Sequence, residues 1–345
     1  MKLSCDKKSA YLITDDLTVK YLTGVDIKEG YLFVTDKSMK CYTDARYFYA
    51  AKQMLSSVGV EAGLYKGEES LSEFLAERQI ENLFIDYSKV TVKDYENYKK
   101  FGVEIGDCSD KLFHARSIKS DEEIALIKKA CEIAERAYLD EIVKVKEGMT
   151  ENQLKSAIEK RMIELGANSS SFDIIVAFGS NGAVPHHQTG ETTLKKNVPI
   201  LIDMGANYKG YLSDLTRTAF FGTPSNKFIE CYNAVLKANE LAEEQITAGM
   251  KTDEADAIAR NYLKEKGFDE YFTHSLGHGV GIEIHEYPTL SPKRKDLLEE
   301  GMIVTIEPGV YFDGEFGIRI EDTVLISGGK VKRLFTDDKN LLLIK

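Results

Sequence analysis

Two stretches of the chain, about a hundred residues apart, alternate apolar and polar positions in the manner of β-hairpins. The first, ILIDMGANYKGYLSDLTRT (200–218), leads from the apolar Ile200-Leu201-Ile202 through a turn at Asn207-Tyr208-Lys209-Gly210 into a strand ending Thr-Arg-Thr. A turn centred between Tyr208 and Lys209 predicts Asp203 directly opposite Asp214. The second, IVTIEPGVYFDGEFGIRIEDTVL (303–325), has a Gly-rich turn, with Glu307 on one arm and Glu321 on the other. Near the start of the chain, β-like runs (AYLIT, GYLFVT, KCYT, NLFID) alternate with helical stretches at 44–55 and 70–78. They predict a compact α/β domain over residues 1–115, rich in Tyr and Phe that serve its core. That domain is expected to shape or cover a site, or to make an oligomer contact.

A seam follows at 115–120. Ser120-Asp-Glu-Glu123 is a capping box, and the helix after it aligns Ile124, Ile127, Cys131, Ala134 and Tyr138 on one face. A second domain, 120–345, begins there and carries a faint repeat: KEGMT ending at Thr150 and AGMKT ending at Thr252 each open a helix. Each is preceded by a long amphipathic helix and followed by one acidic hairpin, so a site on a pseudo-two-fold axis is expected. Chance likeness of helix-turn-helix pieces is the competing explanation.

Composition narrows the class. Hydrophobic content of 43% and charged content of 29% in 345 residues describe a soluble globular protein of one large or two ordinary domains. A net charge of −11 argues against nucleic acid or an anionic membrane as partner. No window has the length and apolarity of a membrane span, and Asp6, Lys7 and Lys8 break up any signal-like start. Cys5, Cys41, Cys108, Cys131 and Cys231 are widely spaced without a CxxC, which suits reduced thiols and a cytoplasmic location.

The acidic hairpins carry the chemistry. Cross-strand neighbours have Cβ atoms about 5 Å apart, so facing carboxylates must share a proton, meet a base or hold a cation. A turn-forming Asp203 and a capping Asp214 would explain one such pair, but two acidic hairpins favour a cation. Between them, His274, His278 and His285 fall within twelve residues, and glycines flank His278. The segment matches neither GxGxxG nor GxxxxGK[ST], which opposes a phosphate loop. His186 and His187 follow Pro185 in a loop whose bland reading is solvated surface. Four carboxylates and one imidazole, with no thiolate, suit two divalent ions such as Mn²⁺, Fe²⁺ or Co²⁺, and also Zn²⁺. A pair of ions about 3.5–4 Å apart can activate a shared water against a carbonyl. The residues alone lead to a dinuclear metallohydrolase.

IDMGA, SDLTRT, HSLGHGVGIEIHE, IEPGVY and RIEDT, in that order, resemble the signature blocks of the pita-bread metallopeptidases. Within that group the chain is most similar to the aminopeptidase P and prolidase branch. LITDDLTVKYLTG and YTDARY resemble that branch's accessory domain, which methionine aminopeptidases lack. The resemblance implies an α/β (α+β) protein: a creatinase/prolidase-like N-terminal accessory domain, then a pseudo-two-fold pita-bread catalytic domain. It implies Asp203, Asp214, His278, Glu307 and Glu321 as metal ligands, Asp214 and Glu321 bridging, with Glu307 also the general base. His285 would stabilise the tetrahedral intermediate. His186, preferred to His187, would contact substrate, and His274 would line the proline pocket. Arg319 and Tyr311 would orient the carboxylates.

The expected activity is hydrolysis of the bond between an N-terminal residue and a following proline by a metal-bridging water, with Xaa-Pro dipeptidase as the alternative. Proline lacks an amide N–H, which most peptidases require. A catalytically inactive peptide-binding module and a metal-free, creatinase-like amidinohydrolase are opposed by the intact ligand set. A homodimer is implied by resemblance. Many similar chains carry HExPR, whereas this one has His285-Glu-Tyr-Pro-Thr289.

Overall fold

The apolar runs near the start of the chain become strands Ser9–Ile13, Tyr31–Val34, Met39–Thr43 and Asn82–Ile85 of a six-stranded sheet. The structure is a computed structural model that describes Leu3 and residues 5–345. Its chain divides into two units, Met1–Ala115 and Arg116–Lys345. In the first, the short strands Glu61–Leu64 and Glu104–Asp107 form the sheet edges. Each contains a glycine and an acidic residue and lacks apolar alternation, so the sequence pattern did not mark them. The helix expected over 44–55 starts only at Phe48, because the Asp44 carboxylate accepts the Arg46 N–H at 2.7 Å and holds a turn.

In the second unit Ser120 caps helix Asp121–Ile142, and the Glu123 carboxylate accepts the Ser120 N–H in return. Ile127, Cys131, Ala134 and Tyr138 are buried on its inner face. Together with helix Glu151–Glu164 it covers strands Ile175–Phe178, Val198–Met204 and Leu215–Phe221. Helices Asn226–Gln245 and Thr252–Glu265 pack in the same way on Ile303–Ile306 and Glu321–Ser327. All these strands join one nine-stranded sheet, in which Leu215–Phe221 lies antiparallel beside Glu321–Ser327 at the centre. Outward from that seam one half runs through Val198–Met204 to Ile175–Phe178 and the other through Ile303–Ile306 to Gly277–Gly279, with Glu286–Leu290 added at the second edge, so the inner arms of the two acidic hairpins lie side by side in one sheet.

The first hairpin turns later than its sequence suggests. Tyr208 pairs with Tyr211, and Lys209 and Gly210 form a two-residue turn with φ of 53° and 89°. Positive φ at both central residues is the primed geometry that matches strand twist, and it wants glycine second. Asp203 consequently faces Thr216 and not Asp214. Asp214 stands two places along from Thr216, so the two aspartates are diagonal neighbours on one face. In the second hairpin Ile306 pairs with Asp322 and Gly309 with Arg319. That common register sets Glu307 opposite Glu321.

Candidate metal centre

His278 reaches the acidic hairpins from the three-residue strand Gly277–Gly279. A Cβ at Gly277 would lie 2.0 Å from the Thr305 carbonyl oxygen, and one at Gly279 2.4 Å from that of Tyr287. Only glycine on either side lets this strand come so close. One donor atom each from Asp214, His278 and Glu321 lie within 4.8 Å of one another. Glu307 Oε1 is 3.4 Å from His278 Nε2. Asp203 gives one oxygen to Arg319 Nη2 at 2.5 Å, and its other oxygen, Oδ1, is buried without a hydrogen-bond partner.

Carboxylates gathered in this way repel one another, and their acidity falls. Burial, then the charges of Glu321, Asp203 and Glu307, push Asp214 well above the usual carboxylate range. Burial, Glu307 and Asp203 push Glu321 in the same direction. Burial lifts Glu307 to about 8. His278 moves the other way: burial and then His285 lower it to about 4, so its ring is neutral. Its Nδ1 lies 3.1 Å from the Gly279 carbonyl, which can only accept, so Nδ1 carries the proton. The Nε2 lone pair then faces Asp214 Oδ2 at 3.6 Å and Glu307 Oε1 at 3.4 Å. A lone pair aimed at two carboxylates is repulsive unless a proton or a cation stands between them. Hard oxygens, one neutral imidazole nitrogen and an orphaned buried carboxylate oxygen fit divalent ions.

Around this group a chain of donors fixes the carboxylates. Arg319 donates to Asp203, to the Tyr311 hydroxyl at 2.8 Å and to Thr216 Oγ1 at 3.0 Å. Thr216 donates to Glu321 Oε2 at 2.6 Å, and Thr305 donates to Glu307 Oε1 at 3.2 Å. Burial disfavours the Arg319 charge, but Tyr311, Asp203, Glu321 and Glu307 outweigh it and raise its pKa. His274 Nε2 meets the Tyr311 hydroxyl at 2.9 Å, so His274 sits at the end of the same chain. The His285 ring stands edge-on to His278 with centroids 4.4 Å apart. His186 is exposed and lowers both His274 and His285 electrostatically, whereas His187 turns away to Glu151 Oε2 at 3.0 Å. Asp203, Asp214, His278, Glu307, Glu321, Arg319, Tyr311, His274, His285 and His186 thus share one neighbourhood, and His187 belongs to a different one.

Sequence reasoning missed the threonines. Thr216 and Thr323 lie one strand away from the groups they hold, and Thr305 two residues before Glu307 on the same arm, and no motif of the sequence marks them. Thr323 Oγ1 donates to the Asp214 carbonyl at 2.8 Å. It also missed the buried ion pairs on the opposite face of the sheet, where Arg217 binds Asp322 at 2.7 Å and Asp337 at 2.6 Å. Burial alone would raise Asp322, but Arg217, Lys339 and Arg333 hold it well below the ordinary range. Adjacent Glu321 and Asp322 therefore move in opposite directions, because a strand sends one to each face.

A buried, carboxylate-rich centre at the seam of two repeated halves is the architecture of a metallohydrolase. The chain belongs to metallopeptidase family M24, whose model matches residues 125–328, and the Creatinase/Prolidase N-terminal domain model matches residues 2–118. It is 37% identical to an Xaa-Pro dipeptidase of Pyrococcus horikoshii, over 98% of this chain and 96% of that one. Among solved structures, the Xaa-Pro dipeptidase from Bacillus anthracis superposes with a TM-score of 0.93 at 36% identity, covering 97% of this chain and 95% of that one. The X-Pro aminopeptidase from Thermotoga maritima does so with a TM-score of 0.89 at 31% identity, covering 97% of each chain. The α/β N-terminal domain joined to a pita-bread catalytic domain, expected from the resemblance, is the observed architecture.

Proposed function

We propose that the protein hydrolyses the peptide bond between an N-terminal residue and a following proline. The observation that carries this is the His278 Nε2 lone pair directed at Asp214 and Glu307 beside Glu321 and the orphaned Asp203 oxygen. Relatives named Xaa-Pro dipeptidase and X-Pro aminopeptidase, similar along nearly the whole chain, support the proline specificity.

Asp203, Asp214, His278, Glu307 and Glu321 would hold two divalent ions, Mn²⁺ first among them. When bound, such ions polarise the scissile carbonyl and acidify a water at neutral pH. The Glu307 carboxylate, steadied by Thr305, takes the proton released as water oxygen adds to the carbonyl carbon. It then passes that proton to the proline nitrogen as the C–N bond breaks. His285, lowered by burial and by His186, is neutral, and its ring N–H donates to the developing oxyanion. His186, close enough to His274 and His285 to lower both electrostatically, would contact substrate from its loop. Tyr311 and Arg319 hold Asp203 in place, and His274 lines the pocket that takes the proline ring.

No helix among the described residues is long and apolar enough to cross a membrane. Four of the five cysteines are buried free thiols. We further propose, in keeping with these thiols and with the family resemblance of the sequence, that the enzyme is a cytoplasmic homodimer acting on peptides with proline at the second position. The test is metal analysis combined with cleavage of a small Xaa-Pro panel. Two ions per chain with release of the N-terminal residue is the expected outcome. A protein that holds two ions and leaves every Xaa-Pro bond intact would refute the proposal.

A further inference from the structure

The ladder between the two arms of the second hairpin is interrupted where the glutamates emerge. Ile306 pairs with Asp322, and the next regular pair is Gly309 with Arg319. Between them Glu307 and Pro308 face Ile320 and Glu321. Pro308 has no N–H to offer, so the strands cannot satisfy every carbonyl across this gap. Buried carbonyls nevertheless need partners. A side chain from outside the sheet supplies them: Asn239, on helix Asn226–Gln245 and wholly buried, donates Nδ2 to Ile306 O at 2.9 Å and to Ile320 O at 3.2 Å. Lys339 Nζ donates to Asn239 Oδ1 at 2.6 Å. An ammonium can only donate, which fixes the amide's orientation with its NH₂ toward the carbonyls.

Ile306 and Ile320 are the residues immediately before Glu307 and Glu321. A carbonyl oxygen and the next residue's N–H share one rigid plane, so pinning the carbonyl orients the backbone that enters the following residue. For Glu307 the plane is held at both ends, since its N–H donates to Leu276 O at 2.8 Å, on the segment that leads into His278. One amide thus ties together the two backbone planes from which both glutamates project.

We infer that Asn239 is a positioning residue for the metal centre, setting the separation of Glu307 and Glu321 from the helix side of the sheet. This rests on the reading of those glutamates as ligands. Asn239→Asp keeps the shape and the Lys339 partner but removes both donated bonds, and Asn239→Leu removes all three. Ala238→Gly, next door on the same helix, is a control for simple loss of stability.

Metal-free preparations of wild type and variants are titrated with Mn²⁺ by calorimetry, and their melting is followed separately. Both Asn239 variants should bind Mn²⁺ at least about tenfold more weakly, the scale for losing a group that orients ligands. Their kcat should fall further than KM changes. Ala238→Gly should melt earlier and bind Mn²⁺ as wild type does. Asn239 variants with wild-type Mn²⁺ affinity overturn the inference, whatever their melting temperature. If Asn239→Leu does not fold, Asn239→Asp decides alone. A wild-type protein that takes up no Mn²⁺ would instead sink the reading of the glutamates as ligands.

Discussion

Asp214 is the carboxylate hemmed in by the other three, with Glu321, Asp203 and Glu307 all opposing its ionisation. It cannot ionise comfortably without a cation, so it should be the ligand whose loss is felt most. In Asp214→Ala, bound metal and turnover should fall together, and by more than the roughly 10–100-fold typical of losing an outer partner of a metal ligand. Metal content and kcat measured on the same preparations check this; two tightly held ions with near-normal turnover would remove Asp214 from the ligand set. His285 sets a different expectation, because it stands beside the centre, ring against His278, without being one of the clustered donors. His285→Ala should lower kcat by roughly 10²–10³, the scale for one oxyanion donor, with a smaller change in KM. An unchanged kcat with a large rise in KM would give His285 a binding role.

At the scale of elements, the loop that carries His285 is held by buried charge. Glu286 Oε1 accepts the N–H groups of Ile282 and Glu283, each at 3.0 Å, and pairs with Arg116 at 2.6 Å, while Oε2 meets Lys119 at 3.3 Å. Burial alone would raise Glu286, but Lys119 and Arg116 hold it below its ordinary 4.5. A depressed carboxylate stabilises the fold above its unfolded pKa, and that contribution is lost as pH falls through the folded value. Glu286→Gln should therefore cost about 3–5 kcal/mol near neutrality, the range for breaking a buried pair. The gap to wild type should narrow below pH 4.5, and denaturant melts across pH 3–7 would reveal it; a pH-independent gap would refute the linkage. None of this network was legible in the sequence, because Arg116 and Glu286 are brought together only by the fold. What was legible was local: Ser120's capping box, the glycines beside His278, and the acidic residue on each hairpin arm. The hairpin register was missed by one position of the turn centre, since Lys209 adopts a positive φ that its side chain does not advertise.

For the molecule as a whole the open variable is how much peptide it accepts beyond the proline. A dipeptidase must recognise a free carboxylate directly after the ring, and a guanidinium fork suits it by donating two parallel hydrogen bonds. The HExPR pattern that the family resemblance implies would put an arginine for this purpose four residues beyond His285; here the position is Thr289. Thr289 lies in strand Glu286–Leu290, paired across the ladder with His278, so a side chain there starts beside the metal-binding strand. Replacing a charge-assisted contact of roughly 1.5–3 kcal/mol by a neutral hydroxyl should weaken selection for dipeptides by about one to two orders of magnitude. A longer peptide has no carboxylate at that point and loses nothing. Lys293 and Arg294, exposed just beyond that strand in the chain, are the cations that would take the arginine's place. The comparison is kcat/KM for Ala-Pro, Ala-Pro-Ala and Ala-Pro amide at saturating Mn²⁺. The tripeptide and the amide should match or exceed the free dipeptide, and Thr289→Arg should shift the preference toward Ala-Pro. A strong preference of the unmodified enzyme for Ala-Pro would mean that another cation, Lys293 or Arg294, takes the carboxylate, and that the threonine does not set substrate length.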